Sequence, residues 1–202
     1  MQGRLLRRPA SRVWRLTARH RAEDGGQGFV NNSDDFTREV EQGRKYMAAT
    51  AIDILEDDLS GELTRELLRL HLAGMDANSP AGHVFALDLS GLKAPNVTVW
   101  TAWSDGRIAG IAALKELGDG TAEVKSMRTH PSFLRQGVGA ALLEHIISVA
   151  RSRGLSRLSL ETGSGAAFQP AIALYRKRGF LEGEAFAGHV RSEFNQFLHL
   201  TF

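Results

Sequence analysis

One junction constrains this chain more than any other: "TAEVKSMRTHPSFLRQGVGAALLEHI", residues 121–146. A β-rich run stops at His130-Pro131, where proline cannot donate to a sheet ladder. A short loop then carries Arg135, Gln136, Gly137 and Gly139. Helical periodicity begins at once, with Val138, Ala141, Leu142, His145, Ile146 and Val149 on one face and an end near Arg153. "LSRLSLET" follows as another β-rich run. A strand, an amphipathic helix and a second strand make a β-α-β unit, and the helix must bury its apolar stripe on the sheet.

The flanking segments extend this sheet. "AIDIL" reads as an opening strand, and "DDLSGELTRELLRLHLAGM" as a helix with Leu63, Leu67 and Leu70 on one face. "DANSPAG" breaks that helix, and Asp57-Asp58 reads as a capping and solvation feature before it. "VTVWTAWSDGRIAGIAALKEL" reads as a hairpin turning at Asp105-Gly106, with Trp100 and Trp103 as sheet packing. A turn at Gly118-Asp119-Gly120 leads into the strand of the quoted junction. "AAFQPAIALYRKR" reads as a second helix stopped by Gly179, and "EFNQFLHLTF" as a closing strand. The expected fold is a mixed, mostly antiparallel α/β sheet flanked by helices, with the β-α-β unit at its centre.

Charge separates the body of the chain from its beginning. Residues 1–22 hold seven arginines and no acid, residues 23–46 hold three basic and six acidic residues, and residues 47–202 hold fifteen basic and seventeen acidic. The basic balance therefore belongs to the leading arm, and nucleic-acid binding by the folded part has no electrostatic support. Residues 1–46 show no sustained period and read as a disordered extension, with Met47 as a candidate natural start and the domain proper over 51–202. The arginine-rich opening fits a transit peptide poorly, because an acidic, Gly/Asn-rich stretch follows it. Cysteine is absent, which excludes disulfides and thiol nucleophiles and is compatible with a reducing, cytoplasmic setting. No segment reaches the apolar length of a membrane span. The seven histidines lack the spacing of a metal-binding helix, so no metal is expected.

A helix start exposes unpaired N–H groups and about half a unit of positive charge. Gly137 and Gly139 let the backbone approach an anion closely, and Arg135 adds a guanidinium suited to phosphate oxygens. The junction thus reads as a phosphate or pyrophosphate cradle, although a tight strand-to-helix turn without a ligand has the same local sequence. A Walker loop would need Gly-Lys-Ser/Thr, and Gly139 is followed by Ala140-Ala141. A dinucleotide fingerprint would need a third glycine where Leu142 stands.

The order of strand, "HPSFLRQGVGAALLEHI", strand and "ALYRKRGF" resembles the GCN5-related N-acetyltransferases, the GNAT superfamily, over roughly residues 51–202. The likeness is closest to small bacterial acetyltransferases with "KSMRTHP", "LSLETGS" and "HLAGM.ANSP" segments. It implies a pyrophosphate loop of acetyl-CoA at Gln136, Gly137, Val138, Gly139 and Ala140. It also implies a strand pairing with the pantetheine arm at Met127, Arg128 and Thr129, and a cofactor-contacting tyrosine at Tyr175, followed by Gly179-Phe180. Two positions depart from the pattern. Leu134 stands where glutamine or arginine is common, shifting the charge to Arg135, and Phe168 replaces an asparagine that hydrogen-bonds the cofactor.

Acetyl transfer to an amine needs a deprotonated amine, a polarised carbonyl and a proton for the departing sulfur. Tyr175 is the expected acid. Glu123 is the expected base, on the premise that strand alternation puts Glu123, Lys125 and Met127 on one face opposite Val124, Ser126 and Arg128. His130 is the alternative base. Strands diverging near Met127 and Leu160 would open a crevice with Glu161, Thr162 and Ser164 at one lip and His71, Met75, Asn78 and Ser79 opposite. The expected activity is direct transfer from acetyl-CoA to a small-molecule amine. A protein amine and a non-catalytic acyl-CoA-binding module are the alternatives. A homodimer is compatible with the resemblance, and no nucleic-acid or membrane partner is expected.

Overall fold

In the computed structural model, residues 51–80 and 88–202 are described. The expectations for the N-terminal arm and for Met47 lie outside them. A seven-stranded sheet runs in the order β1-β2-β3-β4-β5-β7-β6. Its strands are β1 (Ile52–Glu56), β2 (Val97–Ser104), β3 (Arg107–Glu116), β4 (Thr121–Thr129), β5 (Arg157–Gly163), β6 (Leu181–Gly183) and β7 (Asn195–Thr201). Every neighbouring pair is antiparallel except β4 and β5, which the crossover helix makes parallel. Four α-helices accompany them: α1 (Glu62–Asn78), the single-turn α2 (Leu89–Leu92), α3 (Val138–Ser152) and α4 (Gln169–Lys177). The expected hairpin forms, and Asp105 and Gly106 both take positive φ, as a two-residue turn between twisted strands requires. The sequence reading missed β6 and α2, which are too short to show a period.

The core divides across the sheet. On one face α3 and α4 cover Trp100, Ala112, Leu114, Val124, Leu158, Leu160, Phe180 and Leu198. Gly110 of β3 makes this packing possible: a Cβ there would stand 2.7 Å from Val138 Cγ1 and 3.0 Å from the Arg128 carbonyl oxygen. On the other face α1 covers Val99, Ile108, Ile111 and Ala113. Its buried residues are Thr64, Leu67, Leu68 and His71, whereas Leu63 is half exposed. The expected Leu63, Leu67, Leu70 stripe is therefore rotated by one position. The Asp57 carboxylate accepts from Leu59 N, Thr64 Oγ1 and Thr101 Oγ1, tying the turn before α1 to β2. Trp100 and Trp103 both pack in the sheet, as expected.

A bulge in β4 decides which residues reach each face. The β3–β4 register shifts between Ile111 and Ala113, so Ser126 and Met127 together oppose Ala112. Ser126 absorbs the extra residue with φ +52°. Strand alternation is thereby inverted beyond the bulge. Met127 packs with Val124 on the α3 face, while Arg128 faces α1 together with Glu123 and Lys125. The expected shared face of Glu123, Lys125 and Met127 is corrected accordingly.

Candidate active site

β4 and β5 pair only at Thr121–Arg157, Ala122–Leu158 and Glu123–Ser159. Beyond that point β5 continues with β7 and β4 continues with β3, so the two parallel strands part. A cavity of about 240 Å3 lies in the gap. Its walls come from both faces of the sheet. Met127, Ala167, Phe168, Ala171 and Tyr175 line the α4 side, and His71, Gly74, Met75 and Asn78 of α1 line the other. Lys125, Ser126, Arg128, Glu161, Thr162 and Asn195 contribute polar groups. The gap is a passage through the sheet, and the β5-facing edge of β4 beyond Glu123 pairs with no strand along it.

The start of α3 lies against α4 and the end of β4, where a Cβ on Gly139 would stand 3.4 Å from Leu174 Cδ2. Arg135 and Gly137 take positive φ, +60° and +85°, so the loop doubles back before the first helical residue. No side chain caps Gly137, and the first helical bond runs from Ala141 N to the Gly137 carbonyl. The amides from Val138 to Ala140 precede it in the turn and point out of the helix end. A Cβ on Gly137 would meet no atom within 4 Å, so the space in front of these amides is open. Arg135 and Gln136 are exposed beside it, and Gln136 Nε2 donates to the Ser132 carbonyl. This set fits a diphosphate: donors, helix-end charge, one guanidinium and no carboxylate among residues 130–140. Thr129 lies beneath the loop, its Oγ1 3.4 Å from the position of a Cβ on Gly139.

Tyr175 is 7% exposed and projects from α4 into the passage. Its ring leans on Phe180, and its hydroxyl makes only a long contact, 3.7 Å, to Met127 Sδ. Burial pushes the phenol pKa up to about 12, so the oxygen keeps its proton at neutral pH and can donate it. His71 shows the opposite effect of burial. Desolvation first, then the charges of Arg128 and Lys125, lowers its pKa to about 4, leaving a neutral imidazole on the wall.

Glu123 does not line the passage. Its side chain is 2% exposed, and Oε1 accepts from Lys125 Nζ at 3.0 Å and lies 2.9 Å from His189 Nε2. His189 comes from the β6–β7 connection and turns its other nitrogen to Glu161 Oε2 at 3.1 Å. Glu161 Oε1 accepts from Asn195 Nδ2 at 2.7 Å. A buried chain of Lys125, Glu123, His189, Glu161 and Asn195 thus underlies the passage. His71, Asn78, Glu161 and Thr162 line its wall, and so does Phe168, packed against Phe194. Ser164 does not: its amide donates to the Phe194 carbonyl and its hydroxyl to the Glu193 carbonyl, tying β5 to the loop before β7. His130 is also elsewhere, accepting from Ser132 N and meeting Phe133 edge-on. Sequence reasoning missed His189 and Asn195, which belong to no local motif. The Arg128 side chain was missed as a lining group because the bulge was not anticipated. Among the described residues no cluster could hold a metal ion, and no helix is long and apolar enough to cross a membrane.

Comparison with known proteins places this architecture. Residues 53–180 match the Acetyltransferase (GNAT) family. The uncharacterised N-acetyltransferase YedL of Escherichia coli K12 is 45% identical over 148 residues, 73% of this chain and 93% of that protein. The uncharacterised N-acetyltransferase YsnE of Bacillus subtilis 168 is 47% identical over 133 residues, covering 66% and 88%. A GNAT-family acetyltransferase of Elizabethkingia anophelis, solved with acetyl-CoA bound, shares the fold with a TM-score of 0.57 at 19% identity, covering 75% of this chain and 98% of that one. The chain belongs to the acetyltransferase (GNAT) family and is an acyltransferase that uses acetyl-CoA.

Proposed function

We propose that the chain transfers the acetyl group of acetyl-CoA to the amine of a small molecule. One observation carries the reading: the passage joins a tyrosine-lined side with a polar side walled by α1. When bound, acetyl-CoA supplies the acetyl group as a thioester. The amides of Gly137 to Ala140 and the Arg135 guanidinium hold its diphosphate. The unpaired edge of β4 around Met127 to Thr129 aligns its arm, and Phe168 offers apolar contact where the family asparagine would offer a hydrogen bond.

Tyr175 Oη holds a proton beside Met127 and delivers it to the leaving sulfur. Its elevated pKa keeps that proton in place until it is needed. Glu161 is the carboxylate that lines the passage, with Oε2 beside His189. Glu123, sealed under Lys125 and His189, acts on the acceptor through those partners. Positioning of the two reactants across the sheet supplies much of the acceleration.

The test is thiol release from acetyl-CoA against a panel of amines, with mass spectrometry of the product. Tyr175→Phe should lower kcat by about 10²–10⁴-fold, the usual contribution of a general acid, with the calorimetric affinity for CoA kept within a few-fold. Unchanged turnover in Tyr175→Phe would remove the tyrosine from the chemistry. CoA binding without turnover of any amine would replace the enzyme by an acyl-CoA-binding module.

A further inference from the structure

We propose that the acceptor carries a carboxylate as well as its amine, as an amino acid does, and that Arg128 holds the carboxylate while Glu161 receives the ammonium group. The proposal rests on the acetyl-transfer reading above and names the substrate class of the same passage. Its basis is a set of polar atoms left over in one cavity. Ser126 Oγ, Arg128 Nε and Glu161 Oε2 are each buried without a hydrogen-bond partner, and all three residues line the passage.

Arg128 is the most telling of these. Among the described residues its guanidinium has no carboxylate partner and no hydrogen-bond acceptor, whereas Lys125 beside it is paired with Glu123. The inverted alternation after the bulge turns it toward α1, where Nη1 stands 3.0 Å from the position of a Cβ on Gly74. A glycine at 74 is what lets the guanidinium lie against the helix. Arg128 Nε is shut off from solvent although the residue as a whole is partly exposed, and a bound carboxylate would supply two acceptors matched to the guanidinium fork. His71 on the α1 wall is held neutral, and Lys125, which also lines the passage, is paired with Glu123.

Glu161 complements it across the gap. Its side chain is 3% exposed, with Oε1 satisfied by Asn195 and Oε2 near His189 Nδ1 but outside hydrogen-bond geometry. An ammonium donor would complete that oxygen, and proton loss to Glu161 or its His189 partner would free the amine. Ser126 Oγ supplies a further donor. Two opposite charges, on strands that part between them, select a molecule carrying both. A lysine side chain of a protein would satisfy Glu161 and leave Arg128 unpaired.

Two experiments separate this proposal from the reading beneath it. In the first, matched acceptors are compared by thiol release: L-alanine, L-leucine and L-phenylalanine against their amides and their decarboxylated amines. The carboxylate-bearing members should have kcat/KM at least about tenfold higher, as one good charge-assisted contact implies. Arg128→Met should erase that preference through KM, bringing the kcat/KM of the carboxylate-bearing acceptors down to that of their amides. In the second, calorimetry on the CoA-loaded protein compares N-acetyl-L-leucine and N-acetyl-L-phenylalanine with the corresponding N-acetyl amides. The acids should bind and the amides should not, and Arg128→Met should abolish the difference. Amines acetylated without regard to the carboxylate would overturn the subsite and leave acetyl transfer standing. Acids bound through Arg128 with no amine acetylated would uphold the subsite and overturn acetyl transfer. Failure of the acids to bind would also overturn the subsite.

Discussion

His71 makes the folded protein sensitive to mild acid, by an amount that can be worked from its surroundings. The side chain is 7% exposed beneath α1, and its pKa is lowered from 6.5 to about 4 by desolvation and by the charges of Arg128 and Lys125. The folded state therefore resists a proton that the unfolded chain accepts. As pH falls below 6.5 the unfolded state binds more protons, and stability is lost until the folded pKa near 4 is reached. The contribution is complete above pH 6.5 and flat below about 4. A shift of about 2.5 units at 1.36 kcal/mol each gives a loss of about 3 kcal/mol across that window, with a slope of at most about 1.4 kcal/mol per pH unit. His71→Gln removes the titration while keeping a polar side chain of similar reach. Urea unfolding of both proteins, followed by tryptophan fluorescence near pH 7 and near pH 4, cancels the carboxylates that titrate in each. The stability difference should shift by about 3 kcal/mol in favour of the glutamine variant at the lower pH. Parallel loss of stability in the two proteins would refute the argument, because the imidazole would then be protonated equally in both states.

Three substitutions examine the machinery around the passage. Gly137→Ala places a side chain at φ +85° and in the open space before the α3 amides, so it should cost about 1–2 kcal/mol and weaken CoA binding by calorimetry. Gly110→Ala drives a Cβ to 2.7 Å from Val138 and should destabilise by about 1–3 kcal/mol in denaturant unfolding, while displacing the start of α3 and lowering CoA affinity. Glu123→Ala leaves Lys125 and His189 without their shared carboxylate and should cost about 3–5 kcal/mol, read by the same unfolding assay. A Glu123→Ala protein of unchanged stability but abolished turnover would instead make Glu123 a direct base.

The legible part of this protein was local. The α3 junction, the Asp105-Gly106 turn and the helix that carries Tyr175 could be read from order and spacing, because each depends on residues a few positions apart. Tyr175 itself was picked out by the resemblance. The cradle followed from glycines beside a helix start, since unpaired amides there are a consequence of helix geometry itself. The single parallel pair between antiparallel neighbours was also legible, because a helix between two strands forces the crossover.

What the passage contains was decided elsewhere. One extra residue in β4, invisible as a pattern in "EVKSMRT", inverted the alternation and sent Arg128 rather than Met127 to the α1 face. Residues from β4, β5 and the β6–β7 connection converge on one buried chain through Glu123, His189 and Glu161, though His189 lies 66 positions from Glu123. Sequence by itself determined which segments become strands and helices and that a helix begins at a glycine-led turn near Gly137. Tertiary structure alone decided which side chains share a cavity, because burial and charge pairing depend on contacts between distant segments, and no local periodicity encodes those.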